Sequence, residues 1–215
     1  MTAGRPGIPD GLTEAWRDRI DVGQPAGFSA MIDALRGLQD QVTGSNPPEQ
    51  VASGIAGAIS ALTQELTGYA VDERHQVAGR LTGIPGRGQC MAPAVEITEY
   101  GDTHARGHVW FGRFYLGGNG AVHGGAIPLA FDEFMGRFAN TGGRTPSRTA
   151  YLHVNYRSIT PIEARLTIEA RFESEEGRKR VLRGVIRDGD TVCADAEGLF
   201  LALRPGQPLP RRPGL

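Results

Sequence analysis

Cysteine is scarce in this sequence, with two in 215 residues. Cys90 and Cys193 stand far apart without a CxxC pattern, which excludes a disulfide framework as the basis of the fold. A reducing compartment, the cytoplasm, is the expectation, with both thiols as packing residues. Long apolar runs are also missing. No segment approaches the length of a membrane span, and the opening MTAGRPGIPDGLTEAWRDRID has no apolar core of signal-peptide length. No membrane association is therefore expected. Neither sign of charge dominates: 23 basic residues face 24 acidic ones, for a net charge of −1. Without a basic surplus or a basic run interleaved with aromatics, nothing favours nucleic acid as a partner. The densest basic run, Arg178-Lys179-Arg180, follows a Gly and reads as a solvated strand end. What is present is ordinary: 40% hydrophobic and 22% charged residues, enough for one substantial core.

Periodicity divides the chain. Residues 1–27 are rich in Gly and Pro and read as a flexible arm with one turn of helix around Leu12 to Ile20. Phe28, Met31, Ile32, Leu35, Leu38 and Val42 recur at three- and four-residue steps, predicting an amphipathic helix over 28–42. A second helix is predicted over 46–67, capped by Asn46 with Pro47 in its first turn, its stripe Val51, Ile55, Ile59, Leu62 and Leu66 closed by Gly68. Both helices belong to an extension, 28–82, expected to pack on the main sheet or at an interface. After the Gly/Pro/Arg connector at 83–88 the pattern turns to alternation, opening a main domain at 83–204. Strands are predicted near Gln89–Glu99 and His104–Tyr115. A nearly all-apolar helix follows, Gly125 to Ala139, which must be buried. Four strands come next, the last two joined as a hairpin by Asp188-Gly189. The order β-β-α-β-β-β-β predicts an α+β fold, an antiparallel sheet covered by one long helix. Residues 205–215, rich in Pro, read as an irregular tail.

The segment Asn119-Gly-Ala-Val-His123-Gly124-Gly125-Ala-Ile-Pro-Leu-Ala-Phe-Asp132-Glu133 carries the chemistry. It joins a glycine-rich loop to a helix start, where N–H groups lack intrahelical acceptors and the macrodipole is positive, so a carbonyl gaining negative charge can be held there. Gly124 and Gly125 leave room for an acyl group. Asp132 and Glu133 sit in an otherwise apolar helix, where a carboxylate needs a partner or a wet site. Glu133 can pair with Arg137 four residues on, which leaves Asp132 to weigh as a catalytic carboxylate or another buried ion pair. His123 is placed either to act as acid or base or, the favoured reading, to hold the loop by hydrogen bonding. His104 and His108, four apart on a strand, lie roughly 13 Å from each other, too far to share a metal. No metal site is expected. Arg157 suits either a phosphate or an exposed ion pair.

HGGAIPLAFDEFMG, RTAYLHVNYRSITPI and GDTVCADAEGLFLALR together resemble the hotdog-fold acyl-CoA thioesterases of the PaaI-like, phenylacetate-pathway type, over roughly Gln89 to Leu203. The resemblance rests on the HGG loop, an acid nine residues after its His, and the later Tyr156, Arg157 and Pro161. It implies an antiparallel sheet wrapped around a long central helix, with the N-terminal helices outside that core. It implies hydrolysis of an acyl-CoA to free acid and CoA, with Asp132 as general base or nucleophile and the Gly124 N–H polarising the thioester carbonyl. Thr149 takes the place of a residue that orients water, and Asn119 that of one that helps hold the thioester. The only cofactor chemistry implied is the CoA carried by the substrate.

Gly124 and Asp132 are eight residues apart, about 12 Å along a helix axis, so one carbonyl cannot reach both. The missing partner must come from a second chain, and the resemblance likewise implies a homodimer or homotetramer. Two rivals stand beside this reading. A hotdog dehydratase or hydratase is disfavoured by the His-Gly-Gly loop, and a non-catalytic acyl-CoA-binding or regulatory hotdog protein by the presence of Asp132 and Thr149. Acyl preference is not legible.

Overall fold

The computed structural model describes residues 26–73, 75–81, 83–205 and 207. The expected helical turn at Leu12–Ile20 and most of the 205–215 tail lie outside the described residues.

The main body is a six-stranded antiparallel sheet, with β1 (Ala94–Tyr100), β2 (His104–Trp110), β5 (Ser147–Tyr156), β6 (Arg165–Glu176), β7 (Lys179–Asp188) and β8 (Thr191–Ala202) in the order β1-β2-β6-β7-β8-β5. Each neighbour pair runs antiparallel. The β7–β8 connection turns at Gly189, whose φ of 55° is the left-handed backbone that a tight hairpin demands. Against the sheet lies α3 (Ala126–Phe138). Its Phe131, Phe134, Met135 and Phe138 are fully buried together with Leu166, Ile168, Leu182, Ile186 and Phe200 of the sheet. Burying each such side chain stabilises the fold by roughly 1.5–3 kcal/mol. Two glycines make room for the bulk of the helix. A Cβ on Gly184 would come within 3.0 Å of Met135 Sδ and the Phe131 ring, and one on Gly198 within 3.1 Å of Met135 Cε. This is the hotdog arrangement, a sheet wrapped around a central helix.

Several boundaries differ from expectation. The first strand starts at Ala94 rather than Gln89, because the preceding residues form a short 3-10 turn, Pro85–Gly88, with left-handed φ at Gly86, Arg87 and Gly88. The second strand stops at Trp110; a 3-10 turn, Arg113–Tyr115, and a small hairpin of β3 (Leu116–Gly118) and β4 (Ala121–Val122) intervene before α3.

The N-terminal helices are α1 (Ala26–Thr43) and α2 (Glu49–Thr67). Asn46 does not cap α2: Asn46 and Pro47 each precede a proline, which disfavours helical backbone, so the helix opens only after an extended Pro48. Helix α1 packs against the 3-10 turns that precede β1 and follow β2. It buries Ile32, the Asp40 carboxylate accepts the Phe114 N–H at 2.8 Å, and Arg36 donates to the Gln89 carbonyl at 2.9 Å. Helix α2 does not cover the sheet, since it buries no residue and its stripe of Val51, Ile55, Ile59, Leu62 and Leu66 is exposed in the single chain, which leaves the interface alternative of the expectation. Periodicity shows that a face is apolar, and cannot show which surface covers it.

Candidate active site

The sequence dictates a glycine turn before α3, because Pro128 has no N–H to donate and is tolerated only in a first turn. The structure makes Gly124 and Gly125 that turn, and the amides around it have defined partners. The His123 N–H donates to Tyr115 O at 2.7 Å and the Ala126 N–H to His123 O at 2.8 Å. The Gly125 N–H donates to His123 Nδ1 at 3.0 Å. His123 thus holds the loop through its ring as well as its carbonyl. The Gly124 N–H has no acceptor among the described residues. It is the one free donor of the turn.

Beside this end of the helix is a cleft of about 610 Å³ lined by Gln39, Cys90, Met91, Phe114, Tyr115, His123, Gly125, Ala126 and Leu129. Its lining is mostly apolar, as an acyl group requires. Helix α1 contributes Gln39 to its wall. Burial pushes the Tyr115 phenol up to about 12, so at neutral pH it is a neutral donor, bonded to Met91 O at 3.0 Å.

Midway along α3, on its exposed edge, stands Asp132. The Thr149 hydroxyl donates to Asp132 Oδ1 at 2.7 Å, joining two of the predicted residues. Asn140 places Thr149: its Nδ2 donates to Gly136 O at 2.7 Å, and its Oδ1 accepts the Ser147 N–H at 2.7 Å and the Ser147 hydroxyl at 2.9 Å. The start of β5 is thereby tied to the end of α3. Arg180, almost fully buried, donates to Ala139 O at 2.9 Å and Thr145 O at 2.7 Å, satisfying a carbonyl at the helix terminus and one in the loop before β5 with a cation. A cleft of about 170 Å³ opens here between Arg87, Asp132, Arg137, Arg148 and Thr149.

Glu133, next to Asp132, is buried. Its main partner is not Arg137, which approaches only to 3.9 Å, but Arg87, whose Nε and Nη2 meet the two carboxylate oxygens at 2.7 and 2.6 Å. Sequence reasoning missed Arg87, 46 residues away. The available signal was an arginine between two glycines, Gly86 and Gly88, in a connector otherwise short of anchors.

The remaining predicted residues are not brought to Asp132. Asn119 lies in the β3–β4 turn with φ of 50°. Arg157, at the end of β5, forms an ion pair with Asp195 on the neighbouring strand, the exposed-pair alternative of the sequence reading. That bond holds the Asp195 carboxyl below its usual range. Gly124 and Asp132 themselves are separated by the length of α3 in between, on the order of 12 Å, each beside its own cleft.

The fold and its paired clefts define a class. Residues 119–194, across the loop, α3 and much of the sheet, match the thioesterase superfamily model. That segment is thus similar to the thioesterase superfamily, in keeping with the hotdog arrangement of sheet and helix. Among curated proteins, the chain is 33% identical over 96 residues to the acyl-coenzyme A thioesterase THEM4 of Bos taurus, covering 44% of this chain and 39% of the relative. The corresponding protein of Mus musculus is 33% identical over 92 residues, 42% of this chain and 39% of the relative. The chain thus aligns with about two-fifths of the length of these relatives. A crystal structure of a thioesterase superfamily protein superposes with a TM-score of 0.68 at 25% identity, covering 91% of this chain and 97% of that one. A likeness of that extent must reach beyond the sheet into the N-terminal helices.

Proposed function

We propose that this protein hydrolyses acyl-CoA thioesters at a site completed by a second copy of the chain. The observation that carries the reading is the division of labour along α3. At its start a free Gly124 N–H sits beside an apolar cleft, and about two turns further on a solvent-accessible Asp132 accepts a hydrogen bond from Thr149. The similarity to the thioesterase superfamily and to the THEM4 acyl-coenzyme A thioesterases supports acyl-CoA as the substrate class.

In this mechanism the thioester oxygen of the substrate sits at the Gly124 N–H, where the helix start stabilises the charge that develops as the carbonyl is attacked. The attacking group is water deprotonated by Asp132 of the other copy, or that carboxylate itself. In the first case Thr149 orients both carboxylate and water. In that case the proton Asp132 takes from water passes to the departing CoA sulfur and the free acid remains; in the second, CoA leaves from an acyl–Asp132 anhydride, which water then hydrolyses to the acid, restoring the carboxylate. Antiparallel placement of two α3 helices brings each Asp132 to the other chain's Gly124. Two equivalent sites result.

Complementation tests this. Asp132→Asn should abolish most release of free CoA, followed with a thiol reagent, while acyl-CoA binding is retained. Gly124→Val should be inactive because its side chain fills the space at the helix start. Subunit exchange between the two inactive variants gathers both lesions in one site and leaves the other whole, so activity should return to roughly half per mixed dimer. Exchange without any recovery would place both residues' action within one chain and overturn the composite site.

A further inference from the structure

Two successive glycines have little conformational preference of their own, so a Gly124-Gly125 turn that must aim one N–H needs restraint from outside. The structure assigns that restraint to Tyr156: we propose that it is a positioning residue which, with His123, clamps the peptide unit between Gly124 and Gly125 and so keeps the Gly124 N–H directed at the substrate carbonyl. The Tyr156 hydroxyl donates to Gly124 O at 2.7 Å, and the N–H of the same peptide unit, that of Gly125, donates to His123 Nδ1 at 3.0 Å. Both poles of one peptide plane are held. The preceding plane is held through its carbonyl, since His123 O accepts the Ala126 N–H at 2.8 Å. The Gly124 N–H projects from the opposite side of that plane. Tyr156 lies against Gly124 itself, and a Cβ there would stand 3.6 Å from the tyrosine oxygen.

Tyr156 also links the start of α3 to its middle. It closes β5, and the same strand bears Thr149, which holds Asp132. One strand, antiparallel to the helix, therefore references both the oxyanion donor and the carboxylate. Tyr156 approaches from a distant part of the sequence, 32 residues from its acceptor, so loop and strand cannot drift separately while the bond stands. The His123 ring bond, made two residues away, restrains the Gly124–Gly125 peptide unit only against its own turn.

The kinetic consequence rests on the thioesterase reading, and the clamp itself does not. Tyr156→Phe keeps the ring and removes only the hydroxyl. With acyl-CoA substrate, kcat should fall about 3- to 10-fold, the effect of one lost hydrogen bond, with KM within about twofold and an unchanged thermal midpoint. In the same variant the Gly125 amide should exchange with solvent at least about threefold faster by NMR, as the peptide unit loosens. A kcat within twofold of the parent, or a loss matched by a lowered midpoint, would overturn the positioning role. If the parent chain releases CoA from no acyl-CoA, the functional reading falls, and the clamp is then judged by exchange: faster Gly125 exchange sustains it, and an unchanged rate removes it.

Discussion

Replacing Arg87 by Met leaves the Glu133 carboxylate buried beside Asp132 with only the distant Arg137 as a cation. The Glu133 side chain is 7% exposed and Arg87 26%, so neither is well solvated. Two short bonds of 2.7 and 2.6 Å are lost, together with one from Arg87 to Gly79 O at 3.1 Å. Removing one member of a buried pair destabilises a protein by about 3–5 kcal/mol, because the charge left behind cannot be solvated. For a chain of this size that lowers the melting midpoint by about 6–20 °C. A compensating term reduces the loss. Arg87 has φ of 55°, a conformation costing a non-glycine residue about 1 kcal/mol or more, so Arg87→Gly should be less damaging than Arg87→Met. Denaturant unfolding at one fixed protomer concentration measures both, with Glu133→Leu and the Arg87→Met/Glu133→Leu double variant completing the cycle. The double variant should recover much of what Arg87→Met loses, since no orphaned carboxylate remains. A single-variant loss below about 1 kcal/mol, or no coupling in the cycle, would refute the claim that this pair anchors the connector to the central helix.

Three further outcomes are expected. Thr149→Ala should lower kcat by about 3- to 30-fold with little change in KM, as Asp132 loses its hydroxyl partner; a KM-only effect in steady-state kinetics would assign Thr149 to substrate binding instead. Gly184→Ala should destabilise by about 1–3 kcal/mol in urea unfolding, because its methyl meets Met135 and Phe131 at 3.0 Å; an unchanged midpoint would mean that the core can shift there freely. Arg157→Ala should raise the Asp195 pKa toward the ordinary carboxylate value in an NMR titration. The sign follows from a depressed folded-state pKa: the pair's contribution is present above the unfolded Asp pKa and is lost as pH falls through the folded one. Both groups are partly exposed, so stability at neutral pH should change little, and a clear drop in the unfolding midpoint would show that the pair is more than a surface contact.

The sequence by itself determined the order of the main-sheet strands and the burial of α3, and it pointed to where chemistry could occur. Alternation in Leu166, Ile168 and Ala170 set one face of β6 inward, and the apolar run from Ala126 to Phe138 left that helix nowhere to lie but against a sheet. Those signals are local, because a side chain's direction follows from the backbone repeat within a few residues. Only the tertiary structure decided the pairings across long separations. Glu133 found Arg87 rather than the nearer Arg137, since a guanidinium arriving from the connector could meet the carboxylate side-on with two bonds. Tyr156 reached Gly124 because β5 returns antiparallel to α3, and no periodicity encodes where a strand's last residue will stop. The bare stripe of α2 shows the same limit. Five apolar residues at helical spacing specify a face that prefers to be covered, but what stands opposite is a property of the assembled surfaces, not of the repeat.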